Sequence, residues 1–111
     1  MCQYNENLNI GEGTDIGAFT YINAKYGVEI GKNVEIGSHC SIYSYSTIDN
    51  KKGKIIIEDY AKIGSHSLIM PGITIGRNAI IGAFSFVNKN IKPYALAFGI
   101  PIKLIKHIQN E

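Results

Sequence analysis

Residues 57–87 read IEDYAKIGSHSLIMPGITIGRNAIIGAFSFV and repeat one pattern every six positions. An aliphatic residue opens each hexad, glycine often follows it, and a small residue usually stands four places further on. Neither a heptad nor the 3.6-residue period of an α-helix produces this spacing, so a different repeating fold is required. The same spacing extends toward the N-terminus. The aliphatic positions are Ile10, Ile16, Ile22, Ile30, Ile36, Ile42, Ile48, Ile57, Ile63, Ile69, Ile75, Ile81 and Val87.

The hexads predict an all-β fold, a left-handed parallel β-helix with three flat sides. The aliphatic residue of each hexad points inward, and glycine and small residues permit the tight corner that follows. We predict a single domain over residues 1–111, with about four coils over residues 8–92. In the C-terminal extension, residues 93–111, Pro101 is predicted to start a short α-helix that reaches about Gln109. That helix would bury three residues, Ile102, Ile105 and Ile108.

The phase of the repeat slips twice, and each slip predicts a loop. Two residues are added between Ile22 and Ile30, at 27–29, and three are added between Ile48 and Ile57, where the polar stretch 49–54 lies. If both insertions are absorbed at corners, stacked corner residues should lie about 4.8 Å apart. This count predicts His39 and His66 on two different aromatic corners. The three predicted stacks are Lys25, Tyr45, His66 and Phe84; Phe19, His39, Tyr60 and Asn78; and Gly13, Asn33, Gly72 and Asn90.

The bulk composition is typical of a soluble globular domain, with 45% hydrophobic and 18% charged residues. No apolar run is long enough to span a bilayer and the polar N-terminus lacks a signal-peptide core, so we expect a cytoplasmic protein. Cys2 and Cys40 have no metal or redox spacing and are predicted to be free thiols. Residues 60–111 carry six Lys or Arg and one acid. This half favours a phosphorylated ligand, but it is too sparse in basic residues to indicate nucleic acid.

Residues 63–105, IGSHSLIMPGITIGRNAIIGAFSFVNKNIKPYALAFGIPIKLI, resemble the hexapeptide acyltransferases. The similarity is greatest to the galactoside, maltose and polysaccharide-modifying acetyltransferases. It implies transfer of an acetyl group from acetyl-CoA to a hydroxyl or amine of a sugar, nucleotide sugar or surface polysaccharide precursor. A slender solenoid leaves much of its side surface exposed, so we also expect a homotrimer with active sites between subunits.

The resemblance implies a CoA site on the last coils. Ser65 and Ala83 would offer backbone groups to the pantetheine arm. Phe84 takes the place of a glycine in the family motif, which crowds this part of the site. Three lysines would meet the phosphates of CoA: Lys89, Lys103 and Lys106.

The general base is the point at which this sequence departs from the resemblance. Thr47 occupies the slot of the catalytic histidine of the galactoside branch, and a threonine hydroxyl does not accept a proton at neutral pH. Three hypotheses remain: His39 acting across a subunit cleft, His66 beside the CoA serine, or no protein base. His39 is slightly favoured over His66. The predicted acceptor contacts are Asn23, Lys25, Tyr45 and Asp49.

Two other classes of protein compete with this interpretation. A metalloprotein similar to the γ-class carbonic anhydrases shares the β-helix but needs three zinc-binding histidines at a subunit interface. Only His39, His66 and His107 are present, and His107 is poorly placed, so no metal is expected. The second alternative is a non-catalytic β-helix assembly module, which the missing loop histidine favours and the CoA-side residues oppose.

Overall fold

The chain winds into a parallel β-solenoid whose short strands stack in three faces. The computed structural model describes residues 1–108. What we call the aromatic face contains β1 (Cys2–Gln3), β4 (Tyr21–Asn23), β7 (Ser41–Tyr43), β12 (Leu68–Ile69) and β15 (Phe86–Val87). The second face contains β2 (Leu8–Ile10), β5 (Val28–Ile30), β10 (Ile55–Ile57) and β13 (Thr74–Ile75). The third face contains β3 (Asp15–Ile16), β6 (Glu35–Ile36), β11 (Lys62–Ile63), β14 (Ile80–Ile81) and β16 (Ala95–Phe98).

The predicted aliphatic columns are confirmed by the strand register. On the aromatic face, Ile22 pairs with Ile42, Ile42 with Ile69, and Ile69 with Val87, all in parallel. These side chains are buried. Burial of β-branched residues in a one-sided pleated stack supplies the hydrophobic stabilisation, and the glycines let successive coils approach closely.

Where the small fifth residue of a hexad is threonine or serine, its hydroxyl group stabilises the corner. Thr20 is buried and its Oγ1 donates to the carbonyl of Gly37, one coil further along, at 3.0 Å. The Oγ of Ser85 likewise donates to the carbonyl of Gly82 at 2.7 Å. A carbonyl at a tight corner has no ladder partner of its own, so these bonds satisfy groups that burial would otherwise leave unpaired.

The predicted C-terminal helix is wrong. Residues Lys103–His107 form a strand, β17, that pairs antiparallel with β16. A turn containing Gly99, with φ of +120°, and a cis Ile100–Pro101 peptide bond reverses the chain between them. Ile102 is buried as predicted, whereas Ile105 is 48% exposed. β16 is the last parallel strand of its face, and pairing with β17 satisfies its open edge, an option that periodicity within the segment does not reveal. The predicted helix end at Gln109 lies outside the described residues.

No helix formed by residues 1–108 is long and apolar enough to cross a membrane. The single 3-10 helix in this range, Asn5–Asn7, is one turn long.

Candidate active site

Four aromatic rings stack along one edge of the solenoid, between the third face and the aromatic face. We call this edge the histidine corner; it comprises Phe19, His39, His66 and Phe84. The ring centroids of Phe19 and His39 are 5.1 Å apart, those of His39 and His66 are 4.7 Å apart, and those of His66 and Phe84 are 4.8 Å apart. The two imidazole planes are inclined by only 2°.

The prediction that the two histidines occupy different corners is wrong. They lie on adjacent coils of one corner because Ile36 pairs with Ile63. The repeat predicts that Ile48 points inward, but its side chain is 98% exposed. The insertion takes the place of a whole hexad. Every residue after it therefore lies one corner earlier around the solenoid than the spacing predicts. The other predicted partners separate accordingly: Tyr60 and Asn78 lie between the second and third faces, while Tyr45 belongs to the insertion.

The insertion is a β-hairpin between the aromatic face and the second face. Its strands β8 (Tyr45–Ser46) and β9 (Lys51–Lys52) pair antiparallel. At its base the fully buried Ser44 donates its hydroxyl to the carbonyl of Asn23 at 2.7 Å and accepts from the amide of Tyr26 at 3.0 Å. The amide of Gly53 donates to the carbonyl of Ser44 at 2.9 Å, which closes the hairpin ends. The hairpin is therefore anchored to the coil next to it.

A groove runs across the aromatic face from this hairpin to the histidine corner. It consists of two adjoining depressions, of about 600 and 260 Å³, that share Leu68 and Phe86 as lining residues. The end at the hairpin is lined by Tyr21, Asn23, Tyr43, Tyr45, Thr47 and Asp49, among others. The end at the corner is lined by His66, Phe84, Ser85 and Ile100. A mostly apolar floor with a few polar groups at the rim is typical of a small-molecule site.

Three of the four predicted acceptor residues come together in this groove: Asn23, Tyr45 and Asp49. Asp49 accepts a hydrogen bond from the side chain of Ser46, which lowers the pKa of its carboxyl below the ordinary value. Lys25 does not line the groove. Its Nζ lies 4.8 Å from the Tyr45 ring centroid, and it borders a depression with Glu6 and Glu29 on the other side of the hairpin.

His66 lines the groove, whereas His39 lies one coil above it in the stack. Ser65 and Ala83 precede His66 and Phe84 directly in the chain. They approach the same edge from the third face, and the Ala83 amide packs closely under Gly64. The corner thus separates the candidate pantetheine contacts on one side from the groove on the other, with the His66 imidazole between them.

The predicted phosphate-binding lysines are only partly brought together. Lys89 borders a depression of about 240 Å³ at the C-terminal end, which we call the basic depression. Lys92 and His107 complete its polar rim, and its apolar lining is Ile91, Ala95, Ala97 and Leu104. Lys103 and Lys106 lie on β17, exposed and outside this lining.

Sequence reasoning missed the groove floor and part of the basic depression. Tyr21, Tyr43, Leu68, Met70 and Phe86 each stand next to an inward aliphatic residue of the aromatic face, so alternation alone points them outward. The correct corner count would have placed all five on one face. Lys92 and His107 were missed because their approach depends on the terminal hairpin.

Within residues 1–108, no group of three or more His, Cys, Asp or Glu side chains is arranged to hold a metal ion. Cys2 and Cys40 are both free thiols, as predicted. Burial raises the pKa of the Cys40 thiol, and its Sγ lies 3.3 Å from the carbonyl oxygen of Gly64.

Two family models match the chain. "Hexapeptide repeat of succinyl-transferase" matches residues 8–44, and "Bacterial transferase hexapeptide (six repeats)" matches residues 54–89. Together the two segments span about two thirds of the chain, and the gap between them is the hairpin and its flanks. The chain therefore belongs to the hexapeptide-repeat transferase family.

Curated relatives match the chain over about half of its length. A putative acetyltransferase of Staphylococcus aureus (strain MRSA252) is 44% identical over 61 residues, which are 55% of this chain and 31% of that protein. Galactoside O-acetyltransferase of Escherichia coli (strain K12) is 46% identical over 57 residues, 51% of this chain and 28% of that protein. The matched segment spans less than a third of these relatives' own length.

Solved structures match nearly the whole chain. A hexapeptide-repeat acetyltransferase of Vibrio cholerae, in complex with acetyl-CoA, aligns with a TM-score of 0.91 at 26% identity, covering 98% of this chain and 64% of the other. A variant of AntD, an N-acyltransferase of Bacillus cereus, is in complex with dTDP-4-amino-4,6-dideoxyglucose and coenzyme A. It aligns with a TM-score of 0.85 at 26% identity, covering 93% of this chain and 64% of the other.

Proposed function

We propose that this chain is an acetyltransferase that moves an acetyl group from acetyl-CoA to a hydroxyl or amine of a sugar, nucleotide sugar or surface polysaccharide precursor. One observation carries the proposal: the groove of the aromatic face ends at His66, beside the coil positions of Ser65 and Ala83. A proton acceptor therefore stands between a site for an acceptor molecule and a site for a thioester arm.

The site for the acetyl donor lies on the last coils. The acetyl-bearing arm would pass along Ser65 and Ala83 and be confined by Phe84, which is 61% exposed on the corner. The phosphates would meet Lys89 at the basic depression, where Lys92 adds a second cation, with Lys103 and Lys106 on the strand that also carries His107. The match to a structure that holds acetyl-CoA supports this assignment.

The acceptor site is the part of the groove next to the hairpin. Its aromatic floor, with Tyr21, Tyr43 and Phe86, suits the apolar C–H face of a sugar ring, and Asn23 and Asp49 offer partners for its hydroxyl groups. Relatives named for galactoside and dTDP-aminosugar substrates support a carbohydrate acceptor.

We assign His66 the role of general base, in preference to the His39 that the sequence favoured, because His66 lines the groove and His39 does not. A ring nitrogen of His66 takes the proton of the acceptor hydroxyl or amine while the acceptor oxygen or nitrogen forms a bond to the thioester carbonyl carbon. The C–S bond then breaks, and the departing thiolate of CoA takes the proton from the imidazolium. Charge and protons balance without a metal or redox partner.

A thiol-release assay with acetyl-CoA and a panel of sugars, aminosugars and nucleotide sugars tests the proposal. His66→Asn should lower kcat about 100-fold, within the range for loss of a general base. Tyr60→Asn changes the corner residue that precedes His66 by one hexad in the same coil, and it should keep the wild-type kcat.

Failure of the assay would separate the competing classes of protein. No thiol release and no heat of acetyl-CoA binding by calorimetry would support a non-catalytic module. Stoichiometric zinc in the purified protein would support a metalloprotein related to the γ-class carbonic anhydrases.

A homotrimer in the cytoplasm completes the proposal. The groove is open on its solvent side, and exposed apolar side chains border it, including Phe84 and Ile100, which is 76% exposed. A neighbouring subunit would cover these groups and close the groove. Sedimentation analysis should give three times the 12.2 kDa of one chain, and cell fractionation tests the location.

A further inference from the structure

The imidazole of His66 is held between two other aromatic rings. His39 lies on one face at 4.7 Å and Phe84 on the other at 4.8 Å, with interplanar angles of 2° and 14°. Each face of the ring therefore meets a neighbouring ring, while His66 as a whole remains exposed to a ligand. His66 borders the groove with Leu68 and Phe86.

The backbone of this corner accounts for only part of the ring stack. All four residues of the histidine corner have φ between 59° and 63°, in the left-handed region. Among non-glycine residues this region favours asparagine, aspartate and histidine and disfavours other bulky side chains, which here are those of Phe19 and Phe84. The equivalent positions on the neighbouring corner alternate between asparagine and tyrosine, with Asn33, Tyr60, Asn78 and Tyr94 on successive coils. The histidine corner instead carries an aromatic ring on four successive coils.

Burial does not explain the stack either. Phe84 and Phe19 are 61% and 80% exposed, so little of their surface leaves water. The constant feature is ring-on-ring contact, which restricts rotation of the ring in the middle. A base that must meet an acceptor proton at hydrogen-bond distance benefits from a fixed orientation.

We propose that His39 and Phe84 are positioning residues that clamp the His66 imidazole with its edge toward the groove. The inference rests on the proposed function, because it assigns His66 as the base. It also gives His39 a role that needs only a flat ring and no proton transfer. A phenylalanine at position 39 would then serve in place of histidine.

The test compares substitutions that keep or remove each ring. His39→Ala should lower kcat about tenfold with the KM for the acceptor within twofold, whereas His39→Phe should restore at least half of the wild-type kcat. Phe84→Leu should behave like His39→Ala, and Phe84→Tyr should rescue. Phe19→Ala is the matched control: it removes a ring of the same corner that does not touch His66, and it should leave kcat unchanged.

Two further measurements distinguish clamping from a general structural effect. In a His66→Asn background, His39→Ala should cause no additional loss of kcat, because the clamped group is gone. In NMR spectra of the wild type, the His66 ring protons should carry ring-current shifts that His39→Ala and Phe84→Leu reduce and Phe19→Ala does not. Thermal unfolding of each variant verifies that it is folded.

Three outcomes would overturn the clamp. One is a His39→Phe variant as slow as His39→Ala, which would make His39 a proton carrier. The second is an equal loss in Phe19→Ala, and the third is unchanged His66 ring shifts in His39→Ala. Absence of acetyl transfer by the wild type is a different failure, that of the proposed function, and the NMR comparison still reports on the clamp.

Discussion

Single side chains at the site have protonation behaviour set by their immediate partners. The Asp49 carboxylate is held charged by the Ser46 hydroxyl, and the Cys40 thiol is held neutral by burial. The sequence singled out Asp49 and Cys40, but no sequence motif indicates the groups that they contact. Asp49 meets Ser46 through the turn of the hairpin, and the sulfur of Cys40 meets a carbonyl one coil away.

Asp49 should not cause any pH dependence of acetyl transfer near neutrality. Because its folded pKa is lowered, any stability that its charge gives the hairpin is complete above the unfolded pKa of about 3.8. That contribution is lost as the pH falls through the lower folded value. Asp49→Asn should therefore raise the acceptor KM while the shape of the kcat/KM profile from pH 5 to 8 stays that of the wild type. A changed profile would contradict this assignment.

Cys40 should not react with thiol reagents in the folded protein at neutral pH, since the reactive thiolate is disfavoured by burial. Timed labelling with a chromogenic disulfide should modify Cys40 only after a denaturant is added. A Cys2→Ser variant removes the other thiol and isolates the signal. Rapid labelling of this variant under native conditions would refute the prediction.

At the scale of elements, the hexad predicted strands and inward residues well, because each depends only on alternation within a few positions. The hairpin and the terminal strand β17 depend on partners that the local pattern does not contain. The polar residues 49–54 predicted a loop. The number of hexads that this loop replaces depends on where the chain leaves and rejoins the coil, which the hydrogen bonds of Ser44 and Gly53 determine. Because one hexad is replaced, His39 and His66 lie in contact on one corner and not on the separate corners that the spacing predicts.

The approach of successive coils should be sensitive to the glycine that follows an inward aliphatic residue. A Cβ at Gly64 would lie 2.5 Å from the backbone nitrogen of Ala83, so one coil would have to shift. Gly64→Ala should destabilise the fold by about 1–3 kcal/mol in denaturant unfolding, the usual cost of overpacking. Gly72→Asn is the comparison, because a Cβ there meets nothing within 4 Å and only the strain of a φ of +80° remains, which asparagine bears better than most residues, so a smaller loss is expected. Equal losses in the two variants would contradict the close-approach argument.

For the whole molecule, the uneven charge seen in the sequence becomes a difference between the two ends of the solenoid. No acidic residue occurs between Asp59 and Glu111, and the last described coil brings Lys89 and Lys92 to one depression. The composition predicted that the C-terminal half is basic. Which of its cations lie together depends on the terminal hairpin of β16 and β17, which the composition does not reveal.

Acetyl-CoA binding should weaken with salt, because exposed cations at the basic depression are screened within about 10 Å at 0.1 M ionic strength. Raising NaCl from 50 to 500 mM should increase the Kd for acetyl-CoA, as measured by calorimetry. Lys89→Gln should both weaken binding and flatten this dependence. Lys32→Gln, at an exposed position on an early coil, provides the control. An unchanged salt dependence in Lys89→Gln would move the phosphate site elsewhere.

The closed base of the hairpin has a consequence for how such a molecule can diversify. The backbones of Ser44 and Gly53 are hydrogen-bonded to each other, so the chain leaves and re-enters the coil at nearly the same place. Segments of other lengths and compositions can be exchanged there without disturbing the stack of coils. One wall of the groove is thus a segment that can vary independently of the coils, and under the proposed function a change of acceptor would require no change to the residues proposed to bind acetyl-CoA.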